Sequence, residues 1–361
     1  AFNSAKTKNG ETYLANNTHQ PLDGPTSWYE VHLCSEEGTN IIGALFAGSP
    51  NVLIGANQNI AWSHTVNIPD KADVFKLEMH PNKKKYYKVD GTYLKLKTHT
   101  AKINVRVLGI PLKITKKYYE SIYGPTLKNE SGYYSIRTPS LFEIKALEQW
   151  WRMNKAKNFT EFYNILKMKG LPGYNIGYAD KNDTIFYISN GLIPKRTPGH
   201  DWANVVSGNT QKTRWTSTYD IEELPQVIQP KSGYIYNANH SPFRSTDSLD
   251  NPNQSMFDPA MGFETYDNNR STRLKQLIDA HQTVDYEDFK RIKYDHQYPD
   301  PFHFSWMNID ALFEMSPQDY PDVKSILEQI QSWDRRAAAD SYGAGAFGIL
   351  YQKLRKYYKK L

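Results

Sequence analysis

The chain has 361 residues, of which 39% are hydrophobic and 23% charged, enough apolar content for a packed core and too much for a disordered chain. Net charge is +6 and Cys34 is the single cysteine, which excludes an internal disulfide framework and any cysteine-rich zinc module. No apolar run approaches the roughly 20 residues of a membrane-spanning helix, no secretory signal segment is recognisable, and no glycine-rich phosphate loop is present.

Basic clusters at Lys83, Lys84 and Lys85 and in the C-terminal "KLRKYYKK" read as solvated faces, not as a nucleic-acid site. Aromatic residues reach 14%, which suits a large sheet protein with an aromatic-lined cleft. The first residue is Ala1 within a strand-like stretch, as expected at a processing site or a fragment edge.

The first 80 residues read as strands. "TYLANN" and "WYEVHL" alternate apolar and polar residues on either side of "QPLDGP". "NIIGALFAGSP" and "NVLIGA" are continuous apolar runs, the pattern of strands buried on both faces. "YYKVDGTYLKL" carries Asp90-Gly91 between alternating runs, a type I′ hairpin signal, and "KINVRVLGIPLKITKKYY" predicts a second hairpin across Gly109. "NFTEFYNILKMKG" predicts a helix capped by Asn158 and stopped by Gly170. "YNIGYADKNDTIFYIS" is a hairpin turning at Lys181 to Asp183, "GYIYNANHSP" a strand running into a polar turn, and "RSTRLKQLIDA" a helix. "YPDVKSILEQIQSWD" places Val323, Ile326, Leu327 and Ile330 on one helical stripe, with Pro321 in the first turn. Strands first, then strands mixed with helices, argue an α+β fold with mostly antiparallel sheets.

The chemistry-bearing residues do not form a familiar nucleophile motif. Ser63 and His64 are adjacent, and neighbours in a strand point to opposite faces, so they cannot act as nucleophile and base. His296 and His303, near Asp295 and Asp300, are candidates for a metal-dependent hydrolase, on a spacing that matches no standard zinc site. G-x-S-x-G, H-E-x-x-H and S-x-x-K of the penicillin-binding kind are absent. An N-terminal nucleophile avoids them all, because its own α-amino group, with an ordinary pKa of about 7.7–8.0, is a competent base.

Five stretches, in order, resemble the penicillin acylase family, also called the penicillin amidase or acyl-homoserine-lactone acylase family, of N-terminal nucleophile hydrolases. They are "GETYLANNTHQPLDGPTSWYEVHL", "NVLIGANQNIAWSHTVN", "PDKADVF", "GYIYNANHSP" and "NNRSTRL", from Gly10 to about Arg273, with a weaker continuation to "SWD…SYGAGAF". The resemblance implies a four-layer αββα sandwich. Residues 1–361 would form one partial catalytic β-subunit domain, truncated at both ends, with a lysine-rich β-hairpin insertion at about 81–125. It implies hydrolysis of linear N-acyl amides through an acyl-enzyme on a Ser, Cys or Thr about four residues before Ala1; Ser4, which is not terminal, does not fill that role. A non-catalytic binding protein on the same scaffold is the alternative from another class.

By position, the resemblance makes His19 a residue that orders the nucleophile, the Val66 N–H and the Asn239 side chain the oxyanion donors, and Arg270 a support for the nucleophile's surroundings, with Asn237 bracing the turn. Ser63 and His64 become packing and polar support. Asp70 and Asp73, with the carbonyls of Ala72 and Pro194, match a structural calcium loop, and oxygen ligands suit that hard cation. The implied partners are a small N-acyl amide and an α subunit from the same precursor, in a periplasmic or secreted setting.

Overall fold

A computed structural model describes residues 1–304 and 307–358. Strands β1 (Trp28–Cys34), β2 (Asn40–Phe46), β3 (Ile54–Asn57) and β4 (Ile60–Thr65) form an antiparallel meander. Glycine is required where β2 meets β3: a Cβ on Gly43 would lie 2.2 Å from the Ile54 carbonyl oxygen. Strand β5 (Asp73–Lys76) starts a second sheet, and three hairpins follow, β6 (Tyr86–Val89) with β7 (Thr92–Lys95), β8 (Lys97–Val107) with β9 (Ile110–Ser121), and β10 (Gly124–Asn129) with β11 (Gly132–Arg137). The first two turns are as predicted. Asp90 and Gly91 have φ of 47° and 84°, Leu108 and Gly109 52° and 84°, the left-handed pairs of a two-residue hairpin loop.

Helices α1 (Ala146–Lys155) and α2 (Phe159–Leu166) come next, then the hairpin β12 (Gly173–Asp180) and β13 (Ile185–Gly191), and the short strands β14 (Val206–Ser207) and β15 (Gln226–Ile228). Asn158 caps α2 by accepting the Glu161 N–H. The helix stops at Leu166, and the chain turns at Lys169 (φ 51°), one residue before the expected stop at Gly170. Helices α3 (Asn269–Asp279), α4 (Tyr286–Lys293), α5 (Ala311–Glu314), α6 (Lys324–Gln331) and α7 (Tyr342–Tyr358) complete the described elements.

Seven strands form the large sheet in the order β1-β2-β3-β4-β12-β13-β15, all antiparallel, and six form the other in the order β14-β5-β11-β10-β9-β8. Side-chain alternation divides the large sheet into two faces. Trp62, Ile176, Tyr178, Phe186 and Ile188 point to one face and pack under Met153, Phe162 and Leu166 of α1 and α2. The opposite face carries Ser63, Thr65, Asn175, Gly177 and Tyr187 and forms the wall of a cavity.

Several expectations change. "TYLANN" is not a strand: Tyr13 makes only a bridge to Phe2. "GYIYNANHSP" is likewise an extended segment in which Tyr234 bridges to Phe2, because its partner is the irregular chain start and not a sheet. Strand β2 is buried on one face only, with Ile42 50% exposed. On the expected amphipathic stripe, Leu327 and Ile330 are buried whereas Val323 and Ile326 are 49% and 50% exposed: Val323 belongs to a separate 3-10 turn, Pro321–Val323, and Ile326 lies on the exposed side of α6. The lysine-rich stretch around 81–125 is two hairpins, β6–β7 and β8–β9. The basic C-terminal run continues into Lys359 and Lys360, outside the described residues.

Candidate active site

A cavity of about 650 Å³ lies against the large sheet on the face away from α1 and α2. His19, Val66, Asn239 and Arg270, together with Asn237, all line it. The sequence separates these residues by up to 251 positions, from His19 to Arg270, and the fold brings them to one place.

Each is held by a traceable contact. Val66 follows the last residue of β4, where Thr65 pairs with Asn175 of β12. Its carbonyl oxygen accepts from Asn239 Nδ2 at 2.7 Å and Asn175 Nδ2 at 3.0 Å. The Val66 N–H has no hydrogen-bond partner among the described residues. Thr65 Oγ1 donates to Asn237 Oδ1 at 2.6 Å, and the buried Tyr187 hydroxyl donates to Asn175 Oδ1 at 2.7 Å while accepting from Asn237 Nδ2 at 3.4 Å. Thus the sheet floor, the 237–239 turn and Val66 form one polar network.

The turn itself uses asparagine at a left-handed position, Asn239 with φ 56°, which asparagine tolerates better than most residues. Its N–H donates to Asn237 Oδ1 at 3.1 Å, and its side-chain oxygen accepts from Arg270 Nη2 at 2.8 Å. Asn268, the N-cap of α3, donates to the carbonyls of Ala238 and Asn239 at 2.9 and 3.1 Å, tying the helix start to the turn. His240 is buried, with Nδ1 accepting the Ala238 N–H and Nε2 donating to the Arg244 carbonyl, which fixes its neutral tautomer. Burial lowers its pKa.

The chain start belongs to the same cavity. Phe2 bridges antiparallel to Tyr234. The Ala1 amino nitrogen donates to the Ile235 carbonyl at 2.8 Å, and the Ile235 N–H returns to the Ala1 carbonyl at 2.9 Å.

Ser63 and His64 fall on opposite faces, as the strand geometry predicts. Ser63 Oγ donates to Asn16 Oδ1 at 2.7 Å on the cavity side. His64 is buried beneath Trp150, whose Nε1 donates to His64 Nε2 at 3.0 Å, and stacks on Tyr174 at 5.1 Å. Burial pushes its pKa down to about 3. Ser4 is exposed and bonds to Asp183.

The metal expectations fare differently. His296 is at the cavity edge, but Asp295 is engaged by Arg273 at 2.9 and 2.8 Å and Asp300 by Arg335 at 3.2 Å. Among the described residues no group of three His, Cys, Asp or Glu side chains comes together, so the His296/His303 centre does not assemble. Asp70 and Asp73 are close, yet both contact Arg196, at 3.0 Å each. Pro194 bridges to Thr218, and the Ala72 N–H contacts Asp70 Oδ1 at 3.4 Å. Both carboxylates expected at a calcium ion thus face the Arg196 guanidinium.

Sequence reasoning missed Asn175, Tyr187, Asn268 and Arg196. An asparagine in mid-strand was a signal for Asn175, since strands disfavour it without a polar partner. Arg196 gave none, its partner Asp73 being 123 positions away.

The sequence model of the penicillin amidase family matches residues 1–360. The chain belongs to the penicillin amidase family. It is 24% identical over 374 residues to the acyl-homoserine lactone acylase PvdQ of Pseudomonas fluorescens (strain Pf0-1), an alignment that covers 94% of this chain and 47% of the relative. To penicillin G acylase of Escherichia coli it is 28% identical over 242 residues, covering 66% of this chain and 28% of that one. Among solved structures, the thermostable penicillin G acylase of Alcaligenes faecalis superposes with a TM-score of 0.72 at 20% identity, covering 93% of this chain and 58% of the other. This family member therefore has the penicillin G acylase fold, the α+β architecture its sequence implied, and spans about half the length of the P. fluorescens relative.

Proposed function

We propose that the protein to which this chain contributes is an amidohydrolase that cleaves linear N-acyl amides through an acyl-enzyme. One observation carries the reading: the Val66 N–H, unpartnered among the described residues, and the Asn239 amide, which uses one of its two hydrogens on the Val66 carbonyl, border one cavity with the chain start. Two donors at one point are what a developing oxyanion needs.

Strand register supports the position of the nucleophile. In an antiparallel ladder, each step back on one strand is a step forward on the other. Phe2 faces Tyr234 and Ala1 faces Ile235, so a segment continued backward from Ala1 in that register runs toward the 237–239 turn that carries Asn239. A Ser, Cys or Thr there, once freed at its own N-terminus, attacks the amide carbon. Its side-chain proton passes to its α-amino group, and the carbonyl oxygen becomes the oxyanion between Val66 and Asn239. Collapse breaks the C–N bond, and the α-ammonium returns the proton to the departing amine. Water then cleaves the ester, or the thioester where the nucleophile is Cys, by the same route.

The relatives' names point to acyl-homoserine lactones and penicillin G as starting substrates. The span of about half of the P. fluorescens relative supports an α subunit from the same precursor as partner. The test is to express the precursor, sequence the N-terminus of the mature chain, and assay it on a panel of N-acyl amides. A mature start four residues before Ala1, with turnover, is expected. A mature start at Ala1, or no turnover on any panel member, overturns the reading, and the second result favours a binding protein.

A further inference from the structure

The acidic turn after Pro69 is where this family member departs from its expected metal loop. We propose that the Arg196 guanidinium is a resident cation in the position a divalent ion would need, so that the turn is locked from within and does not depend on calcium. The inference stands apart from the proposed hydrolysis.

The geometry is that of an occupied site. Arg196 and Asp73 side chains are 1% and 0% exposed. Arg196 Nε donates to Asp73 Oδ2 at 3.0 Å, Nη2 contacts Asp70 Oδ1 at 3.0 Å, and Nη1 donates to the Ala260 carbonyl at 2.5 Å. Three nitrogens of one planar group thus meet three oxygens, two from the 70–73 turn and one from the 258–262 loop, a planar array of donors that arginine supplies and lysine does not. Trp215 Nε1 adds a donor to Asp73 Oδ2 at 2.6 Å, and the Trp202 ring lies 5.6 Å from the guanidinium carbon.

Calcium takes six to eight oxygens. Here the nearest oxygens are each committed to a different nitrogen, and a dication would have to enter beside a buried positive charge. Asp73 Oδ1, buried without a hydrogen-bond partner among the described residues, is by itself a single ligand.

The clamp also has a structural task. It joins the 70–73 turn to the 258–262 loop, where the Asp70 N–H donates to the Met261 carbonyl at 2.9 Å. Gly262, at φ 63°, closes against it, and a Cβ there would lie 2.7 Å from the Asp70 Cβ. Three residues before Asp70, Asn67 donates to Ser189 Oγ and the Asn190 carbonyl at 3.0 and 2.8 Å. The chain leaving Val66 is thereby fastened on both sides.

The experiment compares the processed full-length protein with Arg196→Ala, recording melting temperature in calcium and in chelator, and terbium emission excited through tryptophan. Trp202 and Trp215 flank the site, so a terbium ion bound there would be sensitised. The parent is expected to melt at the same temperature in calcium and chelator. Arg196→Ala should melt lower by roughly 5 °C or more in chelator, since the buried Asp73 and the partly exposed Asp70 lose their counter-charge. It should regain stability with calcium and acquire a saturable terbium signal that calcium displaces. If Arg196→Ala does not fold, Arg196→Lys decides: a melting temperature below the parent's in both conditions supports the clamp, and a parent-like value overturns it. A calcium-dependent rise in the parent that Asp70→Asn abolishes overturns the proposal as well, as does an Arg196→Ala protein that melts like the parent in chelator.

Discussion

The Asn239 side-chain amide donates to the Val66 carbonyl oxygen at 2.7 Å. Arg270 fixes which way that amide faces, because its guanidinium can only donate and so must meet the Asn239 oxygen. The Asn239 nitrogen is left toward Val66, with a second hydrogen to spare. The oxyanion reading therefore rests on Arg270 as well: it is a positioning residue in this arrangement.

Removing the Asn239 side chain separates the two roles of the turn. Alanine at φ 56° would add backbone strain, so Asn239→Gly, which adopts that conformation freely, is the cleaner variant. Its kcat on an N-acyl amide turned over by the parent should fall on the order of 10²–10³-fold, with KM changed little. An unchanged kcat with a lowered melting temperature would show that Asn239 only shapes the turn.

Tyr187→Phe tests the network beneath Val66. Among the described residues the Tyr187 hydroxyl is the only donor to Asn175 Oδ1, and its loss leaves a buried acceptor unpaired, at a cost of about 1–3 kcal/mol. Asn175 in turn holds the Val66 carbonyl. The expected result is a kcat loss with a smaller effect on KM, alongside lower stability in urea. A variant that loses stability but keeps the parent's kcat would confine Tyr187 to packing.

Asn268→Ala should cost about 0.5–2 kcal/mol for the lost N-cap of α3. Because the same side chain holds the Ala238 and Asn239 carbonyls, activity should drop further than the folded fraction does. Asn268→Ser caps the helix but is too short to reach both carbonyls, so it should recover stability more fully than kcat. Equal recovery of both would argue against a role for the turn contacts.

Local signals were legible in the sequence where local physics decides. Asp90-Gly91 forced a hairpin, and Asn158 started a helix. The cavity residues were legible only through family resemblance, since His19, Val66, Asn239 and Arg270 meet through sheet pairing that no short window encodes. The 12–17 stretch alternates like a strand yet finds no sheet partner, so pattern alone misled. Arg196 illustrates a different limit. Asp70 and Asp73 after a proline look like a metal loop, and nothing in that stretch shows the distant Arg196 that contacts both.

His64 provides the last prediction, on pH. It is fully buried, its Nε2 accepts from Trp150, and its pKa in the folded protein is pushed down to about 3 by burial, against 6.5 for an ordinary histidine. The folded state thus keeps His64 neutral where the unfolded chain binds a proton. Above pH 6.5 both states are neutral and the stability is fully present. As pH falls from 6.5 toward 3, the unfolded state gains a proton that the folded state does not, and stability declines by about 1.4 kcal/mol per pH unit from this group alone. Below about 3 both states are protonated and the decline from this group ends. His64→Gln removes the titration while leaving an oxygen able to accept from Trp150. His240, also held neutral by burial, contributes equally to both proteins, so the difference between them isolates His64. Urea titrations at intervals from pH 7 to pH 4 should show the parent losing stability more steeply than the variant. Parallel curves would mean that His64 is protonated in the folded protein, contrary to its place beneath Trp150 and Tyr174.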